Sequence, residues 1–343
     1  MIYKLLYVIR AVIYTWYLII TTIPLFLILA LSHPLRIAGF SLGDKARSFV
    51  KEAWSHSMFF IFHILAPTKF IIWFDENDSL SAAYCSKLFS MKSSVPSNKV
   101  IFMGNHQLYA DWLYYWWIID CVSHGSDIVI MLKDSLRKIP VIGWAMDMFE
   151  FVFVKREWRY DSTNIEKKLK SIDKWNNAAF LIFPEGTTYS DQTKASSDAY
   201  AKKHDLPLTK HVLLPRVTGL FNCLTLAHWD AIIDITIGVE GLKAYEDPKK
   251  FALRSLLFEG KPPKAIHVKI KYYQASDIPS DKSEFSDWLF ERFREKDKQM
   301  NKFYRHGGFD GVMVESAWKK KRWYLILSWC IICMLYVGIF IMP

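Results

Sequence analysis

Cysteine is scarce in this chain: Cys85, Cys121, Cys223, Cys330 and Cys333 are all there is in 343 residues. Five so spaced make no disulfide framework. Cys330 and Cys333 form a C-x-x-C, but inside a long apolar run with no further ligand nearby, whereas zinc takes four donors. No metal site is expected. Internal repeats and low-complexity linkers are missing too, so no domain boundary is placed within residues 98–304. No serine or cysteine stands in a nucleophile elbow, which speaks against a lipid esterase. Hydrophobic residues make up 52% and aromatics 16%, which excludes disorder, since a disordered chain lacks that much apolar surface. Charged residues, 23% of the total, run through the whole middle and exclude a polytopic transporter.

What is present is apolar at the ends and basic overall. Lys and Arg number 44 against 34 Asp and Glu, a net charge of +10. Ala11–Leu31 is a 21-residue window without a charge, and Trp323–Pro343 is another, preceded by Lys319, Lys320, Lys321 and Arg322. Both reach the roughly 20 residues that a helix needs to cross a bilayer. The first is too long for a signal-peptide core and is expected to be retained, either spanning with a kink at Pro24 or lying re-entrant in one leaflet. The basic residues around the two windows place residues 32–322 in the cytosol. Met58–Leu65 is too short to span and reads equally as interfacial or as a core helix.

Between the windows the pattern alternates. Val100–Met103, Ile128–Leu132, Phe151–Val154, Ala179–Phe183, Val212–Leu214, Ala231–Val239 and Ala265–Tyr273 read as strands, the last with one solvated face. Helical patterns cover Gln107–Ser123, a segment opened by a capping box at Thr163 and Glu166, residues 189–204, and Ser283–Tyr304. This predicts an α/β fold, a mostly parallel sheet flanked by helices with membrane helices at both ends. The expected divisions are 1–66 (membrane anchoring), 67–310 (cytosolic α/β domain) and 311–343 (basic segment and C-terminal membrane helix).

Four short elements carry polar residues that suit chemistry. His106 and Asp111 lie five apart at a strand-to-helix junction, where parallel α/β sheets place ligand sites. If Asp111 looks back from the first helical turn, it fixes the imidazole tautomer and leaves the other nitrogen as a general base. Phe183-Pro184-Glu185-Gly186-Thr187-Thr188 stops a strand with a turn that offers N–H groups and a hydroxyl to a phosphate. Lys155 and Arg156 follow a buried strand as cations able to hold phosphate. Leu213, Leu214 and Pro215 close another, with Arg216 after them.

In order, these four elements resemble the four motifs of the glycerolipid acyltransferases, the 1-acylglycerol-3-phosphate acyltransferases and their relatives: N-H-x-x-x-x-D, F-[IV]-x-R, F-P-E-G-T and a proline-closed strand. The resemblance spans about residues 95–220. It implies that His106, oriented by Asp111, takes a proton from a lysophospholipid glycerol hydroxyl, which attacks an acyl-CoA thioester. Asn105, Lys155, Arg156, Glu185, Gly186, Thr187, Pro215 and Arg216 would bind substrate. Acyl-CoA would be a co-substrate; no cofactor, metal, covalent acyl-enzyme or nucleic acid is implied. The membrane would be that of the endoplasmic reticulum or a related compartment.

Two departures bear on specificity. Many relatives that use lysophosphatidic acid have Arg after E-G-T, where this chain has Thr188. That points to a phosphodiester acceptor, as in the lysocardiolipin and lysophosphatidylinositol branch. The usual glycine ahead of the second motif is also missing, with Glu150 and Phe151 in its place. Trp112, Tyr114, Tyr115, Trp116 and Trp117 would line an acyl channel, face the bilayer or pack the core. A lysophosphatidic acid (1-acyl-sn-glycerol-3-phosphate) acyltransferase, a CoA-independent transacylase and a non-catalytic lipid tether are the competing readings.

Overall fold

The computed structural model describes residues 2–89, 98–122, 125–244 and 246–316. In chain order the elements are α1 (Ile2–Ile37), α2 (Ser41–Leu65), β1 (Lys69–Phe74), α3 (Ser79–Phe89), β2 (Lys99–Gly104), α4 (Asp111–Val122), β3 (Ile128–Lys133), α5 (Ile142–Met148) and β4 (Val152–Val154). Then come α6 (Trp158–Asp173), β5 (Ala178–Ile182), α7 (Asp191–Lys203), α8 (Val217–Leu226), β6 (Ala231–Val239), α9 (Leu253–Leu257), β7 (Ala265–Gln274), α10 (Lys282–His306) and β8 (Val312–Ser316).

The eight strands form one mixed sheet in the order β4-β3-β5-β2-β6-β7-β1-β8. From β4 to β6 every neighbour is parallel; β7 turns antiparallel to β6, β1 runs parallel to β7, and β8 closes antiparallel to β1. The expected α/β class with a mostly parallel sheet is therefore what forms. Alternate residues of each strand feed opposite layers. Val100 and Phe102 of β2 face a core shared with α2, α4 and α9, while Ile101 and Met103 face one built by α6, α8 and α10. With both faces covered, β5 is apolar throughout and β2 and β3 are polar only at a terminal lysine, as parallel strands require, while β6 buries Asp234 and Thr236 as well.

Several expected elements came out differently, for identifiable reasons. Val212–Leu214 is not a strand, because side chains take its backbone donors. Asp297 Oδ1 accepts from Lys210, His211 and Val212, Glu185 from Leu213, and Ser197 from Leu214. Thr163 opens no helix. α6 starts at Trp158, and Asp161 reaches back to accept from the Lys155 and Glu157 N–H groups at 2.8 and 3.0 Å. The polar face of β7 is covered rather than solvated. Lys269 pairs with Asp75, and His267 Nδ1 accepts from Trp73 Nε1 at 3.1 Å beneath Phe303. β1 and β8 had no counterpart in the sequence reading, and through β8 the sheet runs on to Ser316.

α1 is continuous through Pro24 and Pro34, and it stays on the domain. Arg10 donates to the Leu65 and Leu257 carbonyls, while Arg36 pairs with Glu150. Those anchors are 26 residues apart, about 39 Å of helix. Thr21, Leu25, Leu29 and Ser32 form its buried stripe, and Ile9, Ile13, Trp16, Ile23, Leu27 and Leu31 face outward. Met58, Phe59, Ile61, Phe62 and Leu65 of α2 are buried, so that segment is core. The second apolar window, Trp323–Pro343, with Cys330 and Cys333, lies outside the described residues.

Candidate active site

The parallel strands β4, β3, β5 and β2 end on one edge of the sheet; the segments that leave β2, β4 and β5 carry the first three motifs, and the fourth lies between α7 and α8. His106 follows β2, whose partner β5 runs into Pro184 two residues after Ile182. Tyr189 N–H donates to the His106 carbonyl at 3.0 Å, which ties the first and third motifs together. The His106 ring stacks on Phe183, with centroids 4.4 Å apart, and Phe183 in turn meets the edge of Tyr115.

Asp111 is fully buried at the first residue of α4. Its Oδ2 accepts from the Gln107 and Leu108 N–H groups at 2.6 and 2.8 Å and lies 3.2 Å from His106 Nδ1. The carboxylate thus ties down the loop that leads into its helix and holds the imidazole, all with one oxygen. That contact resolves the five-residue spacing: 107–110 is a loop, and only Asp111 is helical. Because Oδ2 is an acceptor, Nδ1 carries the ring proton and Nε2 presents its lone pair. Thr188 Oγ1 sits 3.1 Å from Nε2.

Glu185 is buried and faces inward. Its Oε1 accepts from His106 N–H at 3.1 Å and its Oε2 from Leu213 N–H at 3.3 Å, joining three motifs. Burial pushes its carboxyl up to about 8, against the pull of those two N–H groups and of Lys296. Asn105 is fully buried as well, with Nδ2 donating to the Ile237 carbonyl and Oδ1 accepting from Ile237 N–H. Pro215 is buried in the turn that delivers Arg216. Asn105, Glu185 and Pro215 therefore offer a ligand no open face; they brace the loops instead. Lys155 spends its charge over the Tyr160 ring, 5.6 Å from its centroid.

Arg156 and Arg216 are exposed and form no ion pair among the described residues. Partial desolvation, then the positive charge of Arg216, draws the Arg156 guanidinium below its ordinary value. Two neighbouring cations without an acidic partner have the chemistry to take up an anion. Arg216 N–H donates to the Pro184 carbonyl at 2.8 Å, and its side chain lies against Gly186. Thr187 is half-buried on the same turn.

Some supporting residues escaped the sequence reading. Asp161 holds the loop in which Arg156 takes φ +70°. Glu150 stands where the relatives' glycine would be and adopts φ +63°, a conformation that glycine takes without strain. Although burial opposes it, pairing with Lys168 and Arg36 keeps its carboxyl below the usual range. Lys133 closes β3 in register with Val154 and adds a third exposed cation to the edge. The aromatic run of α4 is core: Tyr114, Tyr115, Trp116 and Trp117 are buried, and Trp117 stacks on Phe70 at 3.8 Å. A shallow depression lies beside Gln107 and Tyr189, lined also by His211, Leu242, Lys243, Glu246 and Tyr304. Among the described residues no cluster suits a metal, and burial raises the Cys85 and Cys223 thiols to about 12.

The sequence matches the acyltransferase family over residues 88–240 and the acyltransferase C-terminal family over residues 256–331. It is 31% identical over 289 residues to a 2-acyl-1-lysophosphatidylinositol acyltransferase of Saccharomyces cerevisiae, covering 73% of this chain and 72% of that protein. Identity to a probable 1-acyl-sn-glycerol-3-phosphate acyltransferase 5 of Arabidopsis thaliana is 30%, over 85% and 72% of the two chains. With lysocardiolipin acyltransferase 1 of Gallus gallus it is 34%, over 62% and 56%.

Proposed function

From the premise that the chain belongs to the acyltransferase family, we propose that it is an acyl-CoA-dependent lysophospholipid O-acyltransferase with His106 as general base. The observation that carries this reading is the His106–Asp111 pair, its Nε2 presented at the carboxyl edge of the sheet beside two unpaired arginines. Nε2 takes the proton of a glycerol hydroxyl as that oxygen attacks the thioester carbonyl. The C–S bond then breaks, and the CoA thiolate leaves with the proton from the imidazolium. Asp111 stabilises the cation formed in between. Arg156 and Arg216 hold the acceptor's phosphate, which positions its hydroxyl.

Thr188 in place of a further arginine favours a phosphodiester acceptor such as lysophosphatidylinositol over lysophosphatidic acid. The outward face of α1 and the exposed apolar side chains of α5 suit a protein seated along one face of a bilayer, where the lysolipid resides. We place it on the cytosolic face of the endoplasmic reticulum or a related membrane, where acyl-CoA is available. The test is a panel of acceptors (lysophosphatidic acid, lysophosphatidylinositol, monolysocardiolipin) with labelled acyl-CoA and purified protein. Transfer to a phosphodiester acceptor that is lost in His106→Ala supports the reading. Transfer that survives His106→Ala refutes the role of the base, and preference for lysophosphatidic acid refutes the acceptor assignment.

A further inference from the structure

We propose that Thr188 guards the base: its hydroxyl occupies His106 Nε2 when no acceptor is bound, and so suppresses hydrolysis of the acyl donor by water. The inference rests on the reading of His106 as base and acyl-CoA as donor. The geometry is that of a hydroxyl, an imidazole and a carboxylate in line, with Oγ1 to Nε2 at 3.1 Å and Nδ1 to Oδ2 at 3.2 Å. Since Asp111 keeps the proton on Nδ1, Nε2 accepts and Thr188 donates. The nitrogen that must take a substrate proton is already satisfied by the protein's own hydroxyl.

The contact is built on both sides. Thr193, in the capping box of α7, donates its hydroxyl to the Thr188 carbonyl at 3.0 Å, and Tyr189 N–H is bonded to the His106 carbonyl. The backbones of 106 and 188 therefore cannot drift apart while the strands hold. Thr188 is itself buried, with 9% of its surface exposed.

Such an arrangement discriminates between nucleophiles by binding energy. A water that replaces Thr188 at Nε2 exchanges one hydrogen bond for another and brings nothing else. A lysophospholipid brings its phosphate onto Arg156 and Arg216 and its acyl chain onto the bilayer side, and that energy moves the threonine hydroxyl aside. Unguarded, the hydrolytic step would form a C–O bond from water to the thioester carbon and break the C–S bond. Nε2 would accept the water proton and return it to the CoA thiolate, leaving a free fatty acid. Acyl-CoA and water are the only reactants it needs.

The experiment follows CoA thiol release by the full-length protein in detergent–lipid micelles, with and without a saturating lysophospholipid. Thr188→Val keeps the shape and removes the hydroxyl; Thr188→Ser keeps the hydroxyl. In Thr188→Val, acceptor-independent thiol release should rise about three- to tenfold, the change that loss of one ordinary neutral hydrogen bond gives. Acyl transfer should persist, and Thr188→Ser should behave as the parent. A gain of hydrolysis is not something that misfolding produces. Unchanged acceptor-independent release in Thr188→Val overturns the proposal. So does a Thr188→Val protein as inactive as His106→Ala, with acyl mass found on Thr188 of the parent, which would make this hydroxyl a nucleophile. His106→Ala in the same assay keeps the two ideas apart. If it still transfers acyl groups, the base assignment itself has failed; if it is inactive while Thr188→Val shows no gain, only the guard has.

Discussion

Arg216 lies across the open side of Gly186: a Cβ at residue 186 would come 3.2 Å from both Cδ and Nε of the arginine. Gly186 also holds φ +71°, where an L side chain is strained. Gly186→Ala should therefore act twice. Backbone strain should lower unfolding stability by about 1–2 kcal/mol, and displacement of Arg216 should raise KM for the lysophospholipid severalfold with a smaller effect on kcat. Unfolding curves and initial rates check the two separately; an alanine variant with unchanged KM would mean that Arg216 does not meet the acceptor.

Asp111 offers an unusually clean substitution. Oδ2 accepts all three hydrogen bonds, and Oδ1 has no hydrogen-bond partner among the described residues. In Asp111→Asn the amide oxygen can take over the whole Oδ2 role, so the 107–108 loop contacts and the ring orientation survive while the charge is lost. The rate should fall by about two to four orders of magnitude with near-parental thermal stability. Comparable loss of fold and activity would show that the carboxylate serves the structure alone.

Glu185 makes stability depend on pH. Below about 4.5, its ordinary value, folded and unfolded chains both hold the proton, and its contribution is fully present. Between there and about 8 the unfolded chain ionises while the fold keeps its proton, so stability falls as pH rises, by up to about 1.4 kcal/mol per unit. Glu185→Gln cannot titrate, so the difference in unfolding free energy between it and the parent should move in favour of glutamine from pH 5 to 8. A difference that stays flat across that range would contradict the buried, protonated carboxyl.

The turn before α5 displays apolar side chains beside α1. Ile142 N–H donates to the Pro140 carbonyl at 2.7 Å around Val141, whose φ of +66° and ψ of −55° make a strained γ-turn. Val141 is 59% exposed, and Trp144 nearby reaches Phe26 of α1. In a cysteine-free background, a fluorophore on Val141→Cys should be quenched by bromine-labelled acyl chains, whereas one on Asp287→Cys of α10, across the sheet, should not. Equal quenching at both sites would rule out a membrane contact on this side.

Much of the site was legible because it is local. His106 and Asp111 are five residues apart, and a buried strand that ends in Pro-Glu-Gly-Thr announces both the turn and its edge. Short apolar runs likewise carried the central strands, period-two alternation β7, and period-3.6 spacing the long α10. What hydrogen-bonding groups do at a distance was not legible. Glu185 and Asn105 read as ligands for substrate, but the fold spends them on the backbones of His106, Leu213 and Ile237. Val212–Leu214 read as a strand because apolar residues cannot tell whether a neighbouring strand or Asp297 and Glu185 will take their N–H groups.

The sequence alone determined the order of the motifs, the α/β class and the apolar surface of α1, since each depends on neighbours within a few residues. Only the tertiary structure decided that α1 stays against the domain through Arg10 and Arg36, that Glu150 at φ +63° is held by Arg36, and that Thr188 faces His106 Nε2. Each of these is a contact between groups tens to hundreds of residues apart, and such contacts exist only once the strands have set their order and register.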